Sequence, residues 1–170
     1  MANTQYKGDI VAGSLLVKES RTVADLLIRG YRDKALIEEI LQDNILQKRS
    51  LVTARRQTRL IRDRLLPFDQ DFWLMVRDGS HEQATQALLC AAIKHSRLLG
   101  DFIRQVIRTQ IRIYKKTITN RDWEQFFEQC EQTQPSLATW SGSTQLKVRQ
   151  VIFRMLAEAK IIDSTRSKNL

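Results

Sequence analysis

The side chains of this sequence that are best suited to chemistry are arginines. Five of them lie within ten positions of the segment SLVTARRQTRLIRDRLL, residues 50–66, which contains a single acidic residue, Asp63. These arginines are Arg55, Arg56, Arg59, Arg62 and Arg64. Like charges at helical spacing repel by roughly a few tenths of a kcal/mol per pair, and guanidinium groups donate paired hydrogen bonds to phosphate oxygens. The segment therefore favours binding of a polyanion, and the alternative is a solvated outer face of a bundle helix.

A helix is the element that would position these arginines. At 3.6 residues per turn, its inner stripe consists of Ala54, Thr58, Ile61 and Leu65. One outer face carries Arg55, Arg59 and Arg62 at i, i+4 and i+7. Ser50 is suited to cap the start of the helix, and Pro67 disfavours its continuation. The pattern predicts a helix between Ser50 and Pro67 with these arginines facing outward.

Further basic residues extend or repeat this pattern. The segment QDNILQKRS, just before the arginine-rich helix, contributes Lys48 and Arg49. A long helix predicted over 97–117 has an outer stripe of Arg104, Arg108, Arg112 and Lys115. The last predicted helix, which runs to about Lys160, directs outward Lys147, Arg149 and Arg154. Charged faces are also common on solvated helices, so the binding and the solvated interpretations of the 97–117 stripe both stay open.

The composition indicates a folded, basic protein. The chain has 170 residues, 42% of them hydrophobic, with two prolines, six glycines and a net charge of +9. Such a charge favours nucleic acid as the partner over an anionic membrane surface. The longest apolar run, residues 87–93, is too short to cross a bilayer, and the opening MANTQYKGD lacks the apolar region of a secretory signal. We therefore expect a cytoplasmic protein with no membrane span.

Motifs of enzymes and metal sites are missing from the sequence. It contains no GxxxxGK[ST], HExxH or GxSxG motif and no acidic cluster at metal-ligand spacing. Cys90, Cys130, His81 and His95 are isolated from one another, so we expect two reduced, buried thiols and no metal ligands. The sequence thus predicts a protein that is not an enzyme, with no cofactor, no metal and no small-molecule substrate.

The helical periodicity predicts an all-α multi-helix bundle of three regions, forming one compact unit or two lobes. Residues 1–67 hold three helices with the most basic last, the order of a helix-turn-helix, although the Leu41–Ser50 connection is longer than usual. In the first of these helices, 14–28, a break near Ser20 stays open. Residues 68–118 read as a central bundle.

Residues 119–170 repeat the three-helix theme. Here Thr119 and Asp122 open a helix, a short helix follows over 135–140, and Ser143 caps the basic last helix. If the next residues, Ile161–Asp163, form a strand, this region is winged-helix-like; otherwise it is a helical subdomain packed on the bundle. The aromatic residues, apart from Trp140, sit on apolar helical stripes, which favours core packing over stacking on unpaired bases.

Four long stretches of the sequence resemble the BrxA family, the small helical component of bacteriophage-exclusion (BREX) systems. They are YKGDIVAGSLLVKESRTVADLL (Tyr6–Leu27), DNILQKRSLVTARRQTRLIRDRL (Asp43–Leu65), ATQALLCAAIKHSRLLGDF (Ala84–Phe102) and STQLKVRQVIFRMLAEA (Ser143–Ala159). The resemblance implies an all-helical protein that binds DNA and acts beside a methyltransferase, an ATPase and other partners to exclude phage. It also implies family-typical basic positions at Lys48, Arg49, Arg55, Arg56, Arg59 and Arg62.

Two departures from the family concern the C-terminal region. Lys160 stands where relatives often have a helix-ending glycine, and the sequence stops at Leu170, somewhat early for the family. The family's fold also resembles helical RNA-binding antitermination proteins, which leaves RNA as an alternative ligand. Our first hypothesis is therefore largely sequence-independent binding of double-stranded DNA by outward-facing arginines. The alternatives are RNA binding and an adaptor that docks an acidic partner protein of the defence complex.

Overall fold

Helices make up the regular structure of the computed structural model, which describes residues 5–170. They are α1 (Val17–Ile28), α2 (Asp33–Gln42), α3 (Leu51–Leu65), α4 (Gln70–Asp78), α5 (His81–His95), α6 (Arg97–Phe102), α7 (Arg108–Arg112), α8 (Asn120–Thr133) and α9 (Gly142–Glu158). A π-helical turn, Ile103–Ile107, joins α6 to α7, and two 3-10 helices cover Asp9–Ala12 and Pro135–Thr139. Within this described part no strand forms, and an isolated antiparallel bridge joins Thr117 and Asn169. The all-α prediction is confirmed.

The chain divides into two compact units. The 15–95 unit contains α1 to α5, and the 96–170 unit contains α6 to α9 together with the described residues up to Ser14. The sequence-based boundaries after residues 67 and 118 fall inside these units, and the division into three regions stays a prediction.

In the 15–95 unit, α1 packs against α4, and α3 packs against α1, α2 and α5. Its core includes Val23, Leu27, Ile61, Leu65 and Val76, all of them buried. The Asn44 side chain helps to order the long connection between α2 and α3. It accepts a hydrogen bond from the Lys48 backbone N–H (3.0 Å) and donates one to the Lys48 carbonyl (2.9 Å). The three helices predicted for residues 1–67 are present, and their helix-turn-helix character stays a prediction.

Local signals set the helix ends in this unit, although the Ser50 side chain, predicted to cap α3, makes no capping hydrogen bond. Gly30 follows α1 at φ +95°, and the N–H groups of Gly30 and Tyr31 bond the carbonyls of Leu27 and Leu26, which is a Schellman motif. The break considered near Ser20 is wrong, because α1 runs through it. The Ser20 side chain is buried and its hydroxyl donates back to the Leu15 carbonyl, so it adds to the turn instead of interrupting it.

The 96–170 unit is built around aromatic side chains. The Phe102 ring lies edge-on to Trp123, Phe126 and Phe153, with centroids 5.1, 5.3 and 5.8 Å away. Such edge-to-face pairs add about 0.5–1.5 kcal/mol each to the burial of apolar area. These rings are buried in the core, as their apolar stripes predict, and are not presented for stacking on bases.

The end of the chain corrects two predictions. Ser141, not Ser143, caps α9, because its hydroxyl accepts the Thr144 backbone N–H at 3.2 Å. Ile161–Asp163 is not a strand: Lys160 turns the chain at φ +57°, and the N–H groups of Lys160 and Ile161 bond the carbonyls of Ala157 and Leu156. This is again a Schellman motif, formed with lysine where glycine is usual. The winged-helix prediction therefore lacks its strand.

Candidate nucleic-acid interface

Three arginines of α3 form an exposed cationic surface, which we call the arginine face: Arg55, Arg56 and Arg59. The inner stripe of α3, Ala54, Thr58, Ile61 and Leu65, is buried as predicted, and the Thr58 hydroxyl donates to the Ala54 carbonyl at 2.8 Å. This burial fixes the helix orientation and leaves the arginine face outward. No carboxylate of residues 5–170 pairs with any of the three guanidinium groups. Three cations within five residues thus stand exposed without internal neutralisation.

The other two arginines of α3 behave differently. Arg62 donates to the Asp63 carboxylate through Nε (2.9 Å) and Nη2 (2.7 Å), and its side chain is only 21% exposed. Arg64 is 2% exposed and belongs to the core. A signal for this burial exists in the sequence, since Arg64 follows Ile61 by three positions and Leu60 by four, which is the inner side of the helix. The predicted face of Arg55, Arg59 and Arg62 is therefore open at the first two positions and closed at the third.

The two basic residues before α3 also differ in exposure and in ion pairing. Lys48 pairs with Glu19 of α1, and both side chains are largely buried. Arg49 is exposed and has no charged partner in the described chain. Lys48 therefore fixes the connection between α2 and α3, whereas Arg49 extends the cationic surface at the start of α3.

In the 96–170 unit, the stripe predicted on 97–117 is only partly open. The helix ends at Arg112, so Lys115 lies beyond it and pairs with Asp122 at 2.9 Å. Arg104 donates to Asp101 at 2.5 Å. Arg108 and Arg112 are exposed and, within the described residues, contact no carboxylate.

Asp101 explains why Arg104 is held. This carboxylate is almost completely buried and accepts hydrogen bonds from Arg104, from Arg97 (3.3 Å) and from the Tyr6 hydroxyl (2.8 Å). Burial, followed by the hydrogen bonds with Cys130 and Asp101, raises the pKa of Tyr6 well above its usual range. The Tyr6 hydroxyl thus stays a donor to Asp101 at any physiological pH, and the cluster has a structural role.

The three basic residues of α9 that the sequence suggested for binding differ in exposure and in ion pairing. Lys147 and Arg154 are exposed and have no ion pair to any residue in 5–170. Arg149 is half-buried, with its Nη1 3.6 Å from Glu124 of α8. Together with Arg154 it lines a cavity beside α9. The structure therefore brings Arg149 and Arg154 to the same cavity and leaves Lys147 outside it.

Other features of the described chain bear on alternative functions. Among residues 5–170, no group of three or more His, Cys, Asp or Glu side chains could hold a metal ion. No described helix is long and apolar enough to cross a membrane. Cys130 is buried as expected, but Cys90 is exposed, because it lies on the outer side of α5 opposite the buried alanines.

Comparisons with known proteins agree on one family. A model of the BrxA family matches residues 4–170. BREX protein BrxA from Paramagnetospirillum magneticum is 41% identical over 170 residues, which are all of this chain and 85% of that protein. BREX protein BrxA from Escherichia coli is 33% identical over 163 residues, 96% of this chain and 76% of that protein. The crystal structure of an uncharacterized protein from Magnetospirillum magneticum matches with a TM-score of 0.89 at 39% identity, covering 97% of this chain and 84% of that one. The chain therefore belongs to the BrxA family.

Proposed function

We propose that this protein binds double-stranded DNA largely independently of sequence, with Arg49 and the arginine face of α3 on the phosphates. The observation that carries the proposal is the exposure of Arg55, Arg56 and Arg59 without a carboxylate partner in residues 5–170. Clustered guanidinium groups repel one another, and a phosphate backbone relieves that repulsion while releasing its own counterions. Phosphate contacts carry no sequence information, so binding is general.

The shape of this surface supports a duplex over an unpaired strand. An α-helix fits the major groove of B-DNA, and α3 is a 15-residue helix whose arginines begin one turn after its start. Unpaired bases are bound by stacking on open aromatic rings. The arginine face has none, and Trp73 of the same unit is buried. Both features favour contact with the paired backbone.

We further propose that the protein works in bacteriophage exclusion. Two relatives that match nearly the whole chain are named BREX protein BrxA. Within such a system, DNA binding without catalysis would place the protein beside partners that modify DNA or hydrolyse nucleotides, such as a methyltransferase and an ATPase.

The test is binding of fluorescent 30-base-pair duplexes of several sequences, measured by anisotropy at about 0.15 M salt. The triple variant Arg55→Gln, Arg56→Gln, Arg59→Gln should lose about 100-fold affinity for every sequence, because about three phosphate contacts are removed. Duplex RNA and single strands serve as competitors. A loss confined to one sequence would indicate base readout, and unchanged affinity would rule the proposal out.

A matched control has the same change in charge in the same unit. Arg29 and Lys34 are exposed but paired with Asp25 and Glu38, and the Lys94 Nζ donates to the Pro67 carbonyl at 3.3 Å. Their triple replacement by Gln should cost less than about fivefold, because these side chains already have partners. An equal loss in both triples would mean that net charge, not the arginine face, sets the affinity.

A second candidate is docking of an acidic partner protein. Leu51 and Val52, at the start of α3, are 56% and 68% exposed and extend the arginine face with apolar surface. Protein interfaces combine apolar contact with arginine in this way. Under this alternative, Leu51→Ser with Val52→Ser would abolish capture of the partner and leave duplex DNA affinity unchanged.

A further inference from the structure

A cation-lined cavity lies in the 96–170 unit, beside α9. It has a volume of about 430 Å³, within the range of small-ligand sites. The lining comes from three parts of the chain: Arg149 and Arg154 of α9, Asn120 at the first position of α8, and Thr165 and Lys168 of the C-terminal loop. Three cationic side chains and no carboxylate line it.

The cations of this cavity are weakly neutralised by the described chain. Arg154 is exposed and makes no ion pair within residues 5–170. Among the described residues, the Lys168 Nζ contacts the Arg166 carbonyl, at 3.3 Å, and the face of the Phe153 ring, 5.6 Å from its centroid. Arg149 has Glu124 at 3.6 Å, but that carboxylate is 60% exposed and lies outside the lining. Exposed pairs of this kind contribute little, so the lining of the cavity keeps a net positive charge.

The loop that carries Lys168 is fixed in place. The Asp163 carboxylate accepts hydrogen bonds from the backbone N–H groups of Ser164 (2.6 Å) and Asn169 (2.9 Å) and from the Ser167 hydroxyl (2.6 Å). On the other side, Ile118 N–H bonds the Lys168 carbonyl at 2.9 Å. The hydrogen bond from Ser167 lowers the pKa of Asp163, so its charge is retained and engaged inside the loop. Lys168 is thus held at the cavity before any ligand arrives.

From this geometry we propose that the cavity binds a phosphate monoester through Arg149, Arg154 and Lys168. A phosphate monoester carries about −1.5 to −2 charges at pH 7 and offers three strong acceptor oxygens, which matches two guanidinium forks and one ammonium group. Phe153 offers no open ring for a base, since it is buried and Lys168 lies over it. Recognition is therefore directed at the phosphate, which either a free nucleotide or the 5′ end of a DNA strand could supply.

The test is isothermal titration of the full chain with adenosine 5′-monophosphate and with adenosine. The monophosphate should bind and adenosine should not. Arg154→Gln with Lys168→Gln should weaken binding at least tenfold. The control is Arg121→Gln, an exposed arginine next to Asn120 that does not line the cavity, and it should change binding less than twofold. Equal binding of adenosine, an unaffected double variant, or an equal loss in the control would overturn the proposal.

A second arm identifies the source of the phosphate. The affinity for the 5′-phosphorylated thymidine dinucleotide pTpT is compared with the affinity for TpT, which lacks the 5′ phosphate, and with that for adenosine 5′-monophosphate. Tighter binding of pTpT would assign the cavity to DNA ends, and tighter binding of the monophosphate would assign it to a free nucleotide.

The α3 triple variant should bind both probes like the unmodified chain. This outcome separates the cavity from the proposed duplex interface, because either can fail without the other. Thermal unfolding of each variant, together with the ³¹P chemical shift of the bound monophosphate, verifies that a loss reflects the cavity and not misfolding.

Discussion

The two units of this protein differ in how their exposed basic residues are distributed. The 15–95 unit has 14 Lys and Arg residues against 11 Asp and Glu, whereas the 96–170 unit has 14 against 8. Yet the less basic unit holds the denser exposed cluster, the arginine face of α3. In the more basic unit, exposed cations are spread over several helices and loops. The net charge of a unit therefore does not indicate how densely its exposed cations cluster.

Carboxylates account for this difference. In the 96–170 unit, Asp101 holds Arg97 and Arg104, and Asp122 holds Lys115. In the 15–95 unit, most acids lie on α1, α2 and α4, and only Asp63 lies on α3, where it pairs with Arg62. The lesson is that the position of acids along the chain decides which basic residues stay open. Variants in both units test this comparison.

The largest expected effect is on stability, at Asp101. Asp101→Ala removes a buried acceptor of Tyr6, Arg97 and Arg104, and should lower the free energy of unfolding by about 3 kcal/mol. Urea unfolding measures it. Glu128→Ala, an exposed carboxylate of the same unit, should cost less than about 0.5 kcal/mol. A similar cost for both variants would mean that Asp101 is not what organises the basic residues around it.

The next effect compares the two units directly in DNA binding. Neutralising Arg108, Arg112 and Lys147 to Gln removes the same charge as the α3 triple variant. We expect a loss of less than about tenfold at 0.15 M salt, because these cations are dispersed and contribute mainly long-range attraction. Anisotropy under the conditions used for the α3 triple measures it. If this loss exceeded that of the α3 triple, the main interface would have to move to the 96–170 unit.

A smaller effect concerns two helix ends with the same geometry. Gly30 after α1 and Lys160 after α9 both occupy the left-handed position of a Schellman motif, at φ +95° and +57°. Left-handed backbone costs a residue with a side chain about 1 kcal/mol. Lys160→Gly should therefore stabilise the protein by about 1 kcal/mol, and Gly30→Ala should destabilise it by a similar amount. Changes of the same sign in thermal unfolding would contradict this account.

The smallest effect is at Asp63. Asp63→Asn removes the carboxylate that holds Arg62, freeing a fourth arginine on α3. Duplex DNA affinity should rise about threefold, because the Arg62 guanidinium is no longer paired and can contact a phosphate. Asp71→Asn, an exposed acid of α4, is the control and should have no such effect. A fall in affinity would show that Asp63 orients Arg62 for binding.

How much of this arrangement the sequence predicts depends on how local its causes are. The limits of α3 and the Thr119 cap follow from neighbouring residues, and both were predicted. Lys48 pairs with Glu19, which lies 29 positions earlier in the chain, so no local sequence pattern predicts this ion pair. The strand predicted over Ile161–Asp163 does not form, because the Asp163 carboxylate accepts hydrogen bonds from Ser167 and Asn169 in the loop that follows it.

The central claim is that phosphates are held by the arginine face. The most direct test is the dependence of duplex DNA affinity on salt, for the unmodified protein and for the triple variant Arg55→Gln, Arg56→Gln, Arg59→Gln. Each phosphate contact contributes about −0.9 to the slope of log K against log salt concentration. The account predicts that the triple variant flattens this slope by about three. An unchanged slope in the triple variant would contradict it.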